Sequence, residues 1–255
     1  MKLPYEGLIV VVTGASTGLG RAIAAGAAGQ GARAVVVNYA NAAAEAEETA
    51  AMVRAAGAEA VVVQGDVRRD DDCRRIAEAA ALYGRIDALF NNAGRTKRVR
   101  YEDLDGLDAD DFLDIYHVNV VGPYQMTRAA RTLLEASDIA SVVNTSSIAG
   151  VNGGGSSIAY SASKGALNTM TLSLAKALAP KIRVNAICPG FIDSPWFDKL
   201  GTDTGKLREH IQKTTPLQAA STPEDIADTA LFLGSRASRH VTGETLMVDA
   251  GLHLG

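Results

Sequence analysis

Residues Thr13 to Gly20 read TGASTGLG, and they directly follow the apolar run LIVVV at residues 8–12. The apolar run predicts a buried strand, and the alanine-rich segment at residues 18–30 predicts a helix behind it. Glycine at positions 14, 18 and 20 permits a tight turn between the two. Such a turn also lets a phosphate approach the backbone N–H groups at the start of the helix. The stretch therefore predicts a strand, a phosphate-binding turn and a helix, with a glycine spacing that differs from GxGxxG.

The same alternation of strands and helices extends along the chain. Apolar runs predict seven strands, at residues 8–14, 34–38, 60–66, 86–94, 141–147, 182–190 and 245–251. Helical patterns occupy residues 18–30, 41–56, 70–83, 108–136, 160–179 and 223–235. Because uninterrupted apolar runs indicate strands buried on both faces, we expect an α/β fold, a doubly wound parallel seven-stranded sheet with helices on both faces. No linker composition divides residues 1–255, so a single domain is predicted.

The composition is that of an ordinary globular chain. Hydrophobic residues make up 47% and charged residues 21% of the 255 residues, which is enough apolar material for a core. The net charge of −4 provides no overall basic field, so we expect no nucleic-acid partner. Cys73 and Cys188 lack metal-ligand spacing, so no metal site is expected, and two isolated thiols are typical of a reducing compartment. The run at residues 8–12 is shorter than a membrane span of about 20 residues, so we expect a cytoplasmic protein with no membrane partner.

Three local signals refine this outline. Thr222, Pro223 and the two acids that follow predict where the last long helix begins. Two long irregular segments, residues 150–157 and 191–206, follow the carboxyl ends of predicted strands. Because ligands of open α/β sheets bind at that edge, we expect both segments to border a binding site.

The end of the second predicted strand bears on which dinucleotide would bind. In a dinucleotide site, an acid about 20 residues beyond the glycines holds the ribose 2′-hydroxyl of NAD. Here the strand ends in VNYA at residues 37–40, and the next acid is Glu45. Four side chains could instead donate hydrogen bonds to a 2′-phosphate: Ser16, Thr17, Asn38 and Tyr39. We therefore expect NADP(H) as the cofactor, with use of NAD(H) left open.

Tyr160 and Lys164 lie four residues apart on a predicted helix and therefore share one face. A lysine charge near a phenol favours the phenolate. Such pairs are common on helix surfaces, so the pair alone carries little weight. It gains weight from its companions along the chain, which are TGASTGLG, NNAG at residues 91–94, Asn119, and Ser147 thirteen residues before Tyr160.

In this order and spacing, the elements resemble those of the short-chain dehydrogenase/reductase (SDR) family. Its TGxxxGxG, NNAG, Ser, YxxxK and PG motifs all occur here, and the resemblance covers residues 8–251. It implies a Rossmann-like fold and a homo-oligomer, either a tetramer or a dimer. It also implies an oxidoreductase that transfers a hydride between a nicotinamide cofactor and the carbonyl or secondary alcohol group of a small molecule.

The resemblance implies a catalytic tetrad of Asn119, Ser147, Tyr160 and Lys164. Tyr160 would be the acid/base, with its pKa lowered by Lys164 and by the oxidised cofactor. Ser147 would polarise the carbonyl, Lys164 would also bind the nicotinamide ribose, and Asn119 would hold a water of a proton relay. These roles are physically reasonable, because a carbonyl that accepts a hydride becomes an oxyanion and needs a proton donor and fixed hydrogen-bond donors.

The resemblance also implies a set of cofactor contacts. Asp66 would bind the adenine, residues 92–94 would support a ribose, and Ser194 would hold the carboxamide. The full expected set is Gly14, Ser16, Thr17, Gly18, Leu19, Gly20, Asn38, Tyr39, Asp66, Val67, Asn92, Ala93, Gly94, Tyr160, Lys164, Pro189, Gly190, Ile192 and Ser194. Residues 191–215, with Phe191, Trp196 and Phe197, would form a lid over the substrate.

The substrate stays open at this point. One alternative is a 3-oxoacyl-[acyl-carrier-protein] reductase of fatty-acid synthesis, for which Lys181 lies where a basic docking residue is expected. Asp138 occupies the matching position and would repel an acidic carrier. The basic run at residues 95–100 is interpreted either as a solvated loop face or as an attractor of anionic substrates or of the cofactor 2′-phosphate. A catalytically silent binding protein of the same family is the remaining alternative.

Overall fold

The computed structural model describes residues 3–194, 196 and 203–254. Its strands form one parallel seven-stranded sheet in the order β3-β2-β1-β4-β5-β6-β7, which confirms the predicted fold class. The strands are β1 (Ile9–Val12), β2 (Ala34–Tyr39), β3 (Glu59–Gln64), β4 (Ala88–Asn91), β5 (Ser141–Thr145), β6 (Arg183–Pro189) and β7 (Thr245–Val248). Most are shorter than predicted, because the glycine and polar residues after them leave the sheet to form turns.

Helices cover both faces of the sheet. They are α1 (Gly18–Gly29), α2 (Ala43–Ala55), α3 (Asp70–Glu78), α4 (Ala109–Tyr116), α5 (Gly122–Glu135), α6 (Ala149–Asn152), α7 (Ile158–Leu178), α8 (Thr204–Thr214) and α9 (Pro223–Gly234). Among these described residues, no helix combines the length and apolar character needed to cross a membrane.

Three helical predictions need correction. The helix predicted over residues 108–136 is α4 and α5 separated by a π-helical turn, His117–Val121. Pro123 lies in the first turn of α5 and lacks an N–H, so a regular hydrogen-bond ladder cannot run through it. The helix predicted over residues 70–83 ends at Glu78, with a separate 3₁₀ turn at Ala81–Tyr83. The segment 150–157, predicted to be irregular, begins inside the short helix α6.

The predicted start of the last long helix is confirmed. Thr222 Oγ1 accepts a hydrogen bond from the N–H of Asp225, and the Asp225 carboxylate accepts one from the N–H of Thr222. Pro223 occupies the first position, where its missing N–H costs nothing. This reciprocal capping fixes α9 beneath the sheet, where it packs against α1.

The sheet separates two apolar layers, because successive strand residues face opposite sides. Val10 and Val12 of β1 belong to the layer shared with α1 and α9. Ile9 and Val11 belong to the opposite layer, which α3, α5 and α7 cover. All four valine and isoleucine side chains are fully or almost fully buried, as the uninterrupted apolar run predicts.

The order of the strands places a crevice between β1 and β4. From this pair, β2 and β3 extend to one side and β5, β6 and β7 to the other. Loops at the carboxyl ends of such neighbouring strands diverge and leave room for a ligand. The predicted motifs after β1, β4, β5 and β6 therefore meet at one edge of the sheet.

Candidate active site

The turn after β1 requires glycine at three positions. Gly14 and Gly18 adopt left-handed backbone conformations, with φ of +61° and +54°. A Cβ on Gly14 would lie 2.9 Å from the Cα of Ala93. A Cβ on Gly20 would lie 2.3 Å from the carbonyl oxygen of Gly14 and 2.5 Å from Asn92 Nδ2. Glycine therefore lets the turn, the first turn of α1 and the loop after β4 pack directly against one another.

Hydrogen bonds fasten the same turn to the loop after β4. Thr13 Oγ1 accepts from the N–H groups of Asn92 and Ala93 at 3.0 and 3.1 Å. Asn92 Nδ2 donates to the carbonyl oxygens of Thr13 and Gly14, at 3.1 Å each. Two motifs about 80 residues apart thus form one rigid cradle.

A cavity of about 420 Å³ opens over this cradle. Most of the residues predicted to bind the cofactor or catalyse the reaction line it, namely Gly14, Ser16, Thr17, Gly18, Leu19, Asn38, Asp66, Val67, Asn92, Ala93, Gly94, Ser147, Tyr160, Lys164, Pro189, Gly190, Ile192 and Ser194. Three predicted residues, Gly20, Tyr39 and Asn119, lie outside this lining. The fold thus brings residues from the whole length of the chain to one cavity.

Two of the side chains predicted to hold a 2′-phosphate are engaged elsewhere. Asn38 is buried, and its Nδ2 donates to the carbonyl oxygens of Val63 and Gly65 at 3.2 and 3.0 Å. Its Oδ1 accepts from the N–H of Gly14 at 3.2 Å, so Asn38 shapes the glycine turn from behind. Tyr39 packs against the apolar layer. Ser16 and Thr17 are the members of the predicted group whose side chains remain candidates at the cavity.

Among the described residues that line the cavity, the charged ones are Asp66, Arg68, Arg95 and Lys164, with a net charge of +2. Arg68 holds Asp66 through its Nη2 at 2.6 Å and also pairs with Asp114 at 2.7 Å. The hydrogen bond from Arg68 lowers the pKa of Asp66. An adenine amino group would therefore share this carboxylate with Arg68. The positive excess suits a ligand that carries several negative charges.

Ser147, Tyr160 and Lys164 meet where β5 ends and α7 begins. Ser147 Oγ accepts from the N–H of Ala149 at 3.2 Å. Ser157 caps α7 by accepting from the N–H of Tyr160 at 3.3 Å, which fixes the first turn of the helix. Lys164 is buried, and its Nζ donates to the carbonyl oxygen of Thr145 at 2.7 Å and lies 5.6 Å from the centre of the Tyr160 ring.

Burial controls the proton affinities of this pair. It raises the pKa of Tyr160 to about 12, and the hydrogen bond with Ser147 offsets part of that rise. It lowers the pKa of Lys164 to about 8. Desolvation dominates the Tyr160 pKa here, and the Lys164 ammonium donates to the carbonyl of Thr145; the lowering by Lys164 together with the oxidised cofactor stays a prediction.

This lowered pKa makes a prediction for stability. An unfolded lysine titrates near pKa 10.4, so between pH 8 and about 10 the unfolded state binds more protons than the native state. Raising the pH over this window should therefore stabilise the wild-type protein relative to Lys164→Met, by at most about 1.4 kcal/mol per pH unit. Urea unfolding of both proteins between pH 7.5 and 9.5 would measure the trend. Lys176 is an exposed residue on α7, and Lys176→Met is the control, which should keep the pH dependence of the wild-type protein. If Lys176→Met lost that pH dependence to the same extent as Lys164→Met, the assignment to Lys164 would be contradicted.

Asn119 lies behind the cavity, in the π-helical turn. It is fully buried, and its Oδ1 accepts from the N–H of Arg95 at 2.8 Å. Its Nδ2 donates to the carbonyl oxygen of Arg95 at 2.9 Å and to Ser163 Oγ at 3.0 Å. The side-chain amide is therefore committed to the loop after β4 and to α7. It positions these elements, and the expected water relay through Asn119 stays a prediction.

A further contact, which sequence reasoning missed, joins the two loops around Tyr160. Tyr101 Oη donates to the carbonyl oxygen of Gly153 at 2.6 Å and accepts from the N–H of Gly155 at 2.6 Å. It also lies 2.9 Å from Ser161 Oγ. Gly155 packs so closely that a Cβ there would lie 3.2 Å from the Tyr160 ring. The Tyr101 hydroxyl thus holds the segment that rests on Tyr160.

Replacing Tyr101 by phenylalanine should lower kcat about tenfold, because small displacements of a catalytic group reduce the population of productive geometries. Steady-state kinetics with circular dichroism of the variant would measure this effect on a folded protein. Tyr83→Phe is the matched control, since it also loses a hydrogen bond, to Glu59 at 2.8 Å, far from the cavity. Equal kcat values for the two variants would show that Tyr101 does not position Tyr160.

The basic run at residues 95–100 is largely ion-paired. Arg95 contacts Asp114, and Lys97 Nζ lies 2.5 Å from Asp111 Oδ2. Arg100 pairs with Glu102 at 3.4 Å. This pairing supports the interpretation as a solvated loop face, although Arg95 also lines the cavity.

The predicted lid is described in part. Phe191 is buried and Trp196 lines the cavity, with its ring 3.7 Å from the position of a Cβ on Gly94. Phe197 lies outside the described residues. The described residues also contain no group of three or more His, Cys, Asp or Glu side chains that could hold a metal ion.

Several lining residues have only weak sequence signals or none. Ala40 and Asn41 follow β2 directly, so their position at the carboxyl edge could have indicated them. Arg68 and Thr145 also line the cavity. No spacing rule marks Arg68, since it reaches the site only by pairing with Asp66 and Asp114.

Comparison with known proteins agrees with this geometry. A family model described as Enoyl-(Acyl carrier protein) reductase matches residues 14–253. The chain is 40% identical over 250 residues to a granaticin polyketide synthase protein of Streptomyces violaceoruber named as a ketoacyl reductase, covering 98% of this chain and 97% of that protein. It is 35% identical over 257 residues to an L-rhamnose 1-dehydrogenase (NAD(P)(+)) of Sphingomonas sp. (strain SKA58), covering 100% and 99%. A solved structure from Burkholderia xenovorans of the short-chain dehydrogenase/reductase type superposes with a TM-score of 0.90 at 41% identity, covering 98% of this chain and 99% of that one.

The chain has a doubly wound sheet, with the glycine cradle and the cavity at the crevice between β1 and β4. Together with the named relatives, these features define a nicotinamide-dependent oxidoreductase that acts on CH–OH or C=O groups. The chain belongs to the short-chain dehydrogenase/reductase family.

Proposed function

We propose that this enzyme uses NADP(H) in preference to NAD(H) to interconvert a carbonyl and a secondary alcohol, with Tyr160 as the acid/base. The observation that carries the proposal is the convergence of Ser147, Tyr160 and Lys164 with the glycine cradle on one cavity. The nicotinamide, when bound, supplies or accepts the hydride. The residues of the chain then have to orient the substrate oxygen, exchange a proton with it and stabilise its charge.

The proposed roles follow from position and chemistry. Tyr160 donates its phenolic proton to the substrate oxygen during reduction and takes it back during oxidation. Ser147 Oγ donates a hydrogen bond to the same oxygen and stabilises its developing charge. Lys164 holds ribose hydroxyls and adds positive charge beside the phenol. The raised pKa of Tyr160 keeps it protonated before reduction, which is the form that a general acid requires.

The cavity fits a phosphate-bearing dinucleotide. Glycine at positions 14 and 18 removes the side chains that would fill the turn at the start of α1. Backbone N–H groups at a helix N-terminus, with a lining charge of +2, attract a pyrophosphate. The residues proposed to hold the cofactor are those of the predicted set that line the cavity, and Ser16 and Thr17 are the ones proposed to donate to the 2′-phosphate.

The absence of an acid at the end of β2 supports the NADP(H) preference. Directly after β2, the cavity is lined by Ala40, Asn41 and Ala42, none of which is acidic. Thermal-shift titrations with NADPH and NADH, followed by turnover with a panel of 3-oxoacyl thioesters, cyclic ketones, sugars and steroids, test the function. Stabilisation by NADPH with turnover of one class is expected. No response to either nucleotide would overturn the proposal and favour a catalytically silent binding protein.

An acid placed at the end of β2 should reverse the preference. Ala40 lines the cavity directly after β2, and Ala40→Asp would repel a 2′-phosphate while accepting a hydrogen bond from a 2′-hydroxyl. We expect the ratio of the Kd values for NADPH and NADH to change at least tenfold, that is by about 1.4 kcal/mol, toward NADH. The neutral variant Ala40→Asn controls for size. An unchanged ratio in Ala40→Asp would show that the 2′ position lies elsewhere.

A second candidate substrate class is the 3-oxoacyl thioester. The relative from Streptomyces violaceoruber that is named as a ketoacyl reductase supports it. Asp138, which counts against an acidic carrier, lies on a shallow cavity beside Lys181 and three arginines, so the local charge there is positive. Comparing turnover of a 3-oxoacyl group on the acyl carrier protein with turnover of the free thioester would test this candidate.

We further propose that the chain functions as a homotetramer or a homodimer in the cytoplasm, and that residues 1–255 form one domain with a substrate lid at about residues 191–215. Exposed apolar side chains on α5 and α7, such as Tyr124 and Leu172, support self-association. Light scattering of the purified protein would measure the oligomeric state.

A further inference from the structure

A second cavity, of about 240 Å³, lies at the opposite edge of the sheet from the active site. It is lined by Asp138, Ile139, Ala140, Pro180, Lys181, Arg183, Arg236 and Arg239. These residues surround the points where β5 and β6 begin. Pro189, at the other end of β6, lines the active-site cavity instead, so the length of a strand separates the two cavities.

Arg183 lines this second cavity, and its guanidinium carries a charge that no carboxylate among the described residues neutralises. Its Nη2 donates to the carbonyl oxygen of Ser235 at 2.9 Å, and its Nη1 donates to the carbonyl oxygen of Leu233 at 3.0 Å. Nη1 also donates to Ser238 Oγ at 2.9 Å. All of its acceptors are neutral, and no carboxylate within the described part of the chain pairs with it. The carbonyls thus hold the guanidinium rigidly without neutralising it.

Three further cations surround the same cavity. These cations are the exposed side chains of Lys181, Arg236 and Arg239. None of them forms an ion pair with another residue that the structure describes. Surface arginines elsewhere on this chain are commonly paired, as Arg74 is with Asp70 and Arg131 is with Glu135. The clustering of unpaired cations is therefore a property of this cavity.

The cavity has a charge opposite in sign to that of the chain. In the part of the lining that the structure describes, four cations and the carboxylate of Asp138 give a net charge of +3, whereas the whole chain carries −4. A concave surface with several guanidinium groups around it is suited to an anion with oxygen acceptors on several sides.

We propose that this second cavity binds a small phosphate anion of the pyrophosphate class, either free or as the phosphorylated end of a small molecule. Its charge of about −3 near neutral pH complements the +3 of the lining. Arg183 supplies a fixed positive charge, and the exposed guanidinium groups of Arg236 and Arg239, which follow α9, supply hydrogen-bond donors. Preorganisation reduces the ordering cost of binding.

Isothermal titration of the full-length protein with pyrophosphate, at constant ionic strength, tests the proposal. Runs with and without saturating NADP⁺ separate this cavity from the active site, where a phosphate could also bind. We expect pyrophosphate binding to persist when NADP⁺ saturates the active site, and the Kd for the second cavity is taken from that run. The double variant R236Q/R239Q should weaken the Kd at least tenfold, and D138N should tighten it about threefold because a repelling carboxylate is removed.

The double variant R131Q/K176Q removes two exposed cations from α5 and α7 and is the matched control. Its Kd should stay within twofold of the wild-type value. Loss of pyrophosphate binding in the presence of NADP⁺, equal Kd values for R236Q/R239Q and the control, or no tightening in D138N would each overturn the proposal. Turnover of a free, carrier-unlinked substrate by R236Q/R239Q should equal that of the wild-type protein, since neither residue lines the catalytic cavity.

Discussion

Replacing Tyr160 by phenylalanine should reduce kcat at least about 100-fold, because proton transfer by a positioned side chain contributes about 10²- to 10⁴-fold. The variant keeps the ring that packs beside Gly155 and loses only the hydroxyl. Binding of the cofactor should therefore be preserved. Steady-state kinetics in both reaction directions, together with fluorescence titration of NADPH, would measure the two quantities separately.

Tyr124→Phe is the matched control for this experiment. Tyr124 lies on α5 and is 46% exposed, and its ring contacts Arg128 rather than the cavity. Its kcat should equal that of the wild-type enzyme. If Tyr160→Phe retained more than a tenth of wild-type kcat, another group would have to supply the proton, and the assignment of Tyr160 as acid/base would be abandoned.

Gly20→Ala should both destabilise the protein and weaken cofactor binding. A Cβ at this position would lie within 3 Å of three groups, the carbonyl oxygen of Gly14, Asn92 Nδ2 and the Cα of Ala15. Two of these are backbone atoms, so the glycine turn itself would have to move. Overpacking of this kind costs about 1–3 kcal/mol, which corresponds to a loss of about 2–12 °C in Tm for a chain of this length. The displaced turn should raise the Kd for NADPH about tenfold or more.

The same helix provides the control. A Cβ on Gly29, at the last position of α1, would meet nothing within 4 Å. Gly29→Ala should therefore leave the Kd for NADPH unchanged and raise stability by up to about 1 kcal/mol, because alanine loses less backbone entropy in a helix. Differential scanning calorimetry and NADPH titration of both variants would distinguish the two. A Kd in Gly20→Ala equal to that in Gly29→Ala would show that the turn does not form the cofactor cradle.

The fold class could be predicted because its determinants are local. The apolar run at residues 8–12 has no polar alternation, and that pattern indicates burial on both faces of a parallel sheet. The cap at Thr222 and Pro223 identified the start of α9 for the same reason, since capping groups lie within three residues of one another. The turn between α4 and α5 does not follow from the sequence alone: Pro123 is a local signal for an interruption, but the buried contacts of Asn119 with Arg95 and Ser163 that accompany the π turn join segments distant along the chain.

Most of the residues that line the cavity were predictable from the sequence, but the groups that their side chains contact were not. Asn38 was expected to face a 2′-phosphate, and its amide instead holds backbone groups of Val63 and Gly65 on the neighbouring strand. Arg68 had no signal, because its role depends on Asp114, 46 residues away along the chain. The pKa of Tyr160 depends on how deeply α7 buries the ring, which spacing along the helix does not specify.

The sequence by itself determined the parallel sheet, the glycine turn after β1 and the shared helix face of Tyr160 and Lys164, because periodicity and spacing act over a few residues. The tertiary structure decided which groups meet at the edges of the sheet. It placed the Lys164 ammonium against Thr145, and it gathered Arg183, Arg236 and Arg239 around a second cavity. These outcomes depend on burial and on hydrogen bonds between distant segments, and such interactions exist only after the strands have assembled in their final order.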